Sequence, residues 1–159
     1  MAKKILKITG IVIAAAFIVI QFIPVNRDNP PVVNNVNWDS PETKAMFYRA
    51  CADCHSNETK WPWYSYIAPV SWRVADHVKD GRKHFNISAS EMGESHEAGE
   101  EVEKGYMPLS DYLIMHSEAK LTPEEKSEFI AGLNKTFPPK ERKSKKEQTG
   151  ESEHEKGEY

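Results

Sequence analysis

Only two of the 159 residues are cysteine, and the formal net charge is only −3. No run alternates apolar and polar residues convincingly enough to be a strand. Each shortage excludes something. Without strands there is no βαβ unit, and a thioredoxin-like thiol pair belongs at the strand-to-helix junction of one. Zinc would want four ligands, usually a second cysteine pair at similar spacing, and no further cysteine exists. A nearly balanced charge gives nucleic acid no electrostatic support.

What is present concentrates both thiols in five residues, Cys51-Ala52-Asp53-Cys54-His55. C-x-x-C-H is the attachment signature of c-type haem. Two thiols at that spacing serve as thioether links to the haem vinyl groups, and the imidazole one residue later is the proximal iron ligand. A disulfide across four residues would be strained and would leave His55 without a role. One covalently attached haem c, with its iron, is the expected cofactor.

The N-terminus bears on where this chemistry takes place. Lys3, Lys4 and Lys7 precede an apolar stretch from Ile8 to Ile23, about 16 residues, which lies between a signal-peptide core and a full span. Ala14, Ala15 and Ala16 sit inside the run, so no A-x-A cleavage site follows it. Residues 1–23 are therefore expected to be an uncleaved transmembrane anchor, with a cleaved signal as the alternative. Positive charge on the short side places the rest of the chain outside, in the periplasm of a bacterial inner membrane. Residues 24–37, rich in proline and asparagine, read as a linker, and residues 138–159 as a charged, disordered tail.

Between them, residues 38–137 form one domain with helical signals. Ser40 as N-cap, Pro41 and Glu42 open a helix that runs into the haem motif, with Phe47, Ala50, Cys51 and Cys54 at helical spacing. A second helix is expected from about Pro69 to Gly81, with Val70, Val74, His77 and Val78 on one face. Ser88 to Glu91 reads as a capping box for a third segment ending at Gly105. Thr122-Pro123-Glu124-Glu125 opens a last helix carrying Phe129, Ile130 and Leu133. The fold class is all-α. In a domain this short, a large apolar cofactor would supply core that the sequence otherwise lacks.

The helix feeding C-x-x-C-H, a later Met-Pro step and a closing amphipathic helix together resemble the cytochrome c architecture. More closely, several stretches resemble the small bacterial haem-binding domain family of membrane-anchored, cytochrome c-like proteins. They are Cys51 to His55, Trp61-Pro62-Trp63-Tyr64-Ser65, Ile67 to Trp72, His77-Val78, Gly81-Arg82, Gly105-Tyr106-Met107-Pro108, Tyr112, His116 and Ala119-Lys120-Leu121. The resemblance covers roughly residues 45 to 134 and departs from the family pattern at the acidic segment Glu94 to Glu103 and at the single proline after Met107. It implies haem as cofactor more than any particular reaction.

Iron needs a sixth ligand or an open position. Met107, between flexible Gly105 and rigid Pro108, suits a loop that presents sulfur to the distal face, with His77 the first alternative. Met92 and Met115 are assigned to packing. Among the aromatic residues Trp61 and Trp72 are expected to contact haem, and Arg73 and Arg82 to pair with its propionates. The expected protein is a membrane-anchored monohaem c-type cytochrome that exchanges single electrons with other redox proteins and is not an enzyme. A haem sensor or small peroxidase with an open distal site is the first alternative, and a haem-free thiol oxidoreductase the second.

Overall fold

The chain's helices are set by caps and glycines more than by long apolar stripes. The computed structural model describes residues 1–140, so nearly all of the charged tail expected at 138–159 lies outside the described residues. Among the described residues the regular elements are seven α-helices and three 3-10 turns, with no strand. A single bridge joins Phe85 to Gly93.

Helix α1 (Ala2–Ile20) is the expected anchor, and it corrects that expectation. No described helix is long and apolar enough to cross a membrane. Lys3, Lys4 and Lys7 lie inside α1, and residues 21–23 leave it. About 13 uncharged helical residues remain, which at 1.5 Å each span about 20 Å of a ~30 Å hydrocarbon layer. All its side chains are exposed except that of Ile20, which is half-buried.

Helix α2 (Pro41–Ala50) starts as its sequence dictates, Ser40 Oγ accepting from the Thr43 N–H at 3.0 Å. It breaks at Cys51, whose N–H still donates to the Phe47 carbonyl, and the short α3 (Ala52–His55) follows. Helix α7 (Pro123–Thr136) carries the full capping box of Thr122 and Glu125. Phe47 of α2, Val102 of α5 (Ala98–Glu103), and Phe129 and Leu133 of α7 form the core with Met46, Ala52, Phe85, Ile87 and Phe137. Trp38 closes one end against Phe47 and Phe137, ring centroids 5.0 and 5.8 Å away.

Two helix boundaries differ from the sequence expectation for identifiable reasons. Helix α4 (Val70–His84) does not stop at Gly81. A Cβ there would stand 2.6 Å from the Cys54 carbonyl oxygen, so the glycine lets α4 pass against α3 instead of ending the helix. Ser88 does not cap a helix. Its hydroxyl accepts from the Asn57 N–H and its own N–H donates to Asn86 Oδ1, both at 2.9 Å, so its side chain is committed to a long-range contact. Helical structure resumes only in the turn Ser95–Glu97.

The segment expected to be a linker lies hydrogen-bonded along the domain. Gln21 pairs with both the N–H and the carbonyl of Ala68, at 2.9 and 3.1 Å. Asn29 donates to the Thr59 carbonyl, Asn34 to that of Ile87, and Asn57 reaches back to Pro31. Arg82 ties the strap down with bonds to Ser56 O, Asp28 O, Asn29 Oδ1 and Thr59 Oγ1, all 2.7–2.8 Å. Strap backbone with no ladder partner is satisfied here by Asn57 at the Pro31 carbonyl, by Arg82 at that of Asp28, and by the Ser88 carbonyl, which accepts from the Val33 and Asn34 N–H groups.

Gly81→Ala should lower stability by about 1–3 kcal/mol, because backbone, not a flexible side chain, fills the space. Denaturant unfolding checks this; an unchanged midpoint would show that α3 and α4 can part without cost.

Candidate functional site

A cavity of about 810 Å³ opens between α3, α4, and the segment that holds Met107 and α6 (Tyr112–Met115). Cofactor sites typically run to ~300–1,000 Å³ with mostly apolar walls. Here the walls include Phe47, Val74, Val78, Val102 and Leu133.

Helix α3 brings Cys51, Cys54 and His55 to one wall together. Both thiols are free, and burial pushes each up to about 12; Cys54 adds to the rise of Cys51, and the Asp53 charge adds to that of Cys54. Thiol exchange needs a thiol shifted the other way, so this pair is not prepared for disulfide chemistry.

His55 is oriented by its neighbour on the chain beyond α4. Its Nδ1 lies 2.9 Å from the Phe85 carbonyl, which can only accept, so Nδ1 carries the hydrogen and Nε2 keeps its lone pair. Burial lowers its pKa, against the Phe85 hydrogen bond, and so favours the neutral ring that ligates metals. Phe85 is itself fixed, its N–H donating to Gly81 O, while the Ile87 N–H donates to His55 O, both at 2.9 Å.

Met107 also lines the cavity, its backbone N–H on the Glu101 carbonyl at 3.2 Å, just after Gly105 turns the chain at φ +75. His77 lines it too, with Nε2 3.9 Å from Asp111 Oδ2. His84 and His116 line it as well, but their ring nitrogens are engaged, His84 with Glu94 and His116 with Tyr64 and Glu118. Met92 packs against the core, as assigned, but Met115 does not. It is exposed and lines the cavity from α6.

The expected haem contacts fall out unevenly. Arg73 lines the cavity at 68 % side-chain exposure and is paired with Asp111 at 2.7 Å. Burial opposes ionisation of Asp111, but Arg73 and His77 outweigh it and hold the carboxyl below its ordinary range. Arg82 is used up by the strap and does not line the cavity. Trp61 and Trp72 do not line it either, and their indole N–H groups are buried with no hydrogen-bond partner among the described residues. Trp63 and Tyr64 occupy the wall instead. In so dense an aromatic run, nothing in the sequence tells which ring turns inward. The Tyr112–His116 pair, at i and i+4 on a short helix, was a readable signal for a shared face.

The donor set fits haem. Two thiols and a lone-pair imidazole nitrogen share one wall of an apolar cavity, and a thioether stands on a separate segment. No curated protein and no solved structure matches the chain. A family model described as haem-binding domain matches residues 15–135, from within α1 through the strap and into the last turn of α7. That span contains every wall of the cavity, and the chain belongs to the haem-binding domain family.

Proposed function

We propose that this chain is a monohaem c-type cytochrome that carries single electrons between redox proteins at the outer face of a bacterial inner membrane. The observation that carries the reading is the His55 imidazole, fixed through Nδ1 by Phe85 O at 2.9 Å and presented beside both thiols. Haem, when bound, supplies a one-electron iron couple.

The residues have separate tasks. Cys51 and Cys54 would hold the cofactor as thioethers, each Sγ–H adding across one vinyl double bond with its hydrogen going to the other vinyl carbon, so that no oxidant would be needed. His55 Nε2, its lone pair free, would hold the iron. Met107 gives a soft thioether, which favours ferrous iron and raises the potential relative to a second imidazole. The apolar walls exclude water, and Arg73 stands at the edge where a carboxylate of the cofactor would find a cation.

The exposed apolar surface of α1 supports attachment to a membrane, with Lys3, Lys4 and Lys7 placed to meet anionic headgroups. Such a helix too short to span can still partition into the interface.

Replacing both thiols, Cys51→Ala with Cys54→Ala, should let acid and organic solvent extract all the haem, whereas the unmutated protein retains it after denaturation; extraction from the unmutated protein would sink covalent attachment. Met107→Ala should give a high-spin ferric spectrum and faster carbon monoxide binding while haem stays attached. The same outcome from His77→Ala or Met115→Ala, with Met107→Ala silent, would reassign the sixth ligand. Full-length protein should remain with membranes after a high-salt wash, and a chain starting at residue 24 should not. Equal release of both would remove α1 from the attachment.

A further inference from the structure

Around His116 the cavity wall carries hydrogen-bonding groups that attachment and ligation leave unused. Its Nε2 lies 2.6 Å from the Tyr64 hydroxyl and its Nδ1 3.0 Å from Glu118 Oε1. A carboxylate only accepts, so in the neutral ring Nδ1 bears the hydrogen and Nε2 accepts from the phenol. The ring is clamped by Tyr112, stacked on it at 4.1 Å and 10°. Tyr112 in turn donates its hydroxyl to Asp53 Oδ2 at 2.9 Å, between the two cysteines.

Tyr64, Tyr112, Asp53 and His116 all line the cavity. The His116 side chain is only 16 % exposed, but that of its partner Glu118 is 62 % exposed. A phenol, an imidazole and a carboxylate thus run in sequence from the cavity wall to solvent. Of the other charged groups near this wall, two pairs are taken up locally, and His77 Nε2 stands 3.9 Å from Asp111 Oδ2. Asp111 at the start of α6 holds Arg73, and Arg49 of α2, which packs on the turn Ser117–Ala119, holds Glu125 at 2.8 Å. Glu118 and, beyond the Tyr112 ring, Asp53 stand ready to compensate a positive charge on His116. Burial, followed by the carboxylate charges of Asp53 and Glu118, raises the Tyr64 pKa, so the phenol stays protonated and can turn as a donor or an acceptor.

We propose that His116 takes up one proton from solvent when the iron gains an electron, so that the protein carries electrons coupled to protons. This rests on the preceding reading of a redox haem. One electron enters from a one-electron donor protein, one proton enters from water, and the iron is the only atom reduced. With the proton bound, both ring nitrogens donate, Nδ1 to Glu118 and Nε2 to the Tyr64 oxygen, whose own hydrogen turns away. Coupling is reciprocal: whatever electron affinity the proton adds, the electron adds in proton affinity.

The test is the reduction potential of the haem-loaded full-length chain between about pH 5 and pH 9, the range in which imidazole titrates. The potential should fall as pH rises, by at least about fivefold in the reduction equilibrium, or about 40 mV at 59 mV per tenfold for one electron. In His116→Gln it should become flat. A second measurement covers a variant that fails to fold: in the unmutated protein, the His116 resonance followed by NMR should titrate at higher pH in the reduced than in the oxidised state. A pH-independent potential, a pH dependence that survives in His116→Gln, or one imidazole titration common to both redox states overturns the proposal. A haem-loaded protein with no reversible one-electron potential overturns the underlying reading instead.

Discussion

Helix α4 can lie against α3 only because no side chain stands on Gly81, and much of the site follows from that approach. With α4 seated on the Cys54 backbone, its C-terminal turn places Phe85, whose carbonyl holds His55 Nδ1. Arg82, the residue after Gly81, reaches Ser56, the first residue past the C-x-x-C-H motif, and carries the strap across. One missing Cβ therefore fixes the His55 imidazole, the cavity wall beside it and the path of the N-terminal segment. A domain of this size has little core to spare, and close backbone approach replaces part of the apolar contact that larger folds use.

Burial of the thiols and of the imidazole acts in two directions. It raises the thiols, which makes them poor spontaneous nucleophiles, and it lowers the imidazole, which favours the ligating form. The same apolar wall thus suppresses the disulfide chemistry that a C-x-x-C pair otherwise invites and keeps the imidazole in the form that can ligate a metal.

What could be read from the residues was local. Ser40, Thr122 and Glu125 act through backbone groups three residues away, so their caps were legible, and the all-helical class followed with them. Ser88 carried the same local pattern and failed, because Asn57 and Asn86, distant or differently turned, claim its groups first. Gly81 looked like a helix end because the sequence cannot show Cys54 opposite it. Arg82 and Arg73 were equivalent as residues and differ only in what lies within reach. Trp61 and Trp72, both half-buried, miss the cavity wall for the same reason, while the family resemblance, carried by contiguous motifs over roughly residues 45 to 134, falls within the matched span 15–135. The anchor was misjudged on length: an apolar run counts for a bilayer only where it is helical and uncharged throughout.

Gln21 meets Ala68 with both faces of its amide, as another peptide group would. Two parallel bonds to one residue fix a direction as well as a position, and Arg27, 4.4 Å over the Tyr66 ring, adds a second point of hold nearby. The end of α1 is therefore clasped to the loop that carries Trp63 onto the cavity wall, not hinged beside it. Whatever surface α1 settles on dictates the compass heading of the cavity mouth. A partner would meet this protein at one preset angle, and the lifetime of the encounter need not include a search by a swinging head.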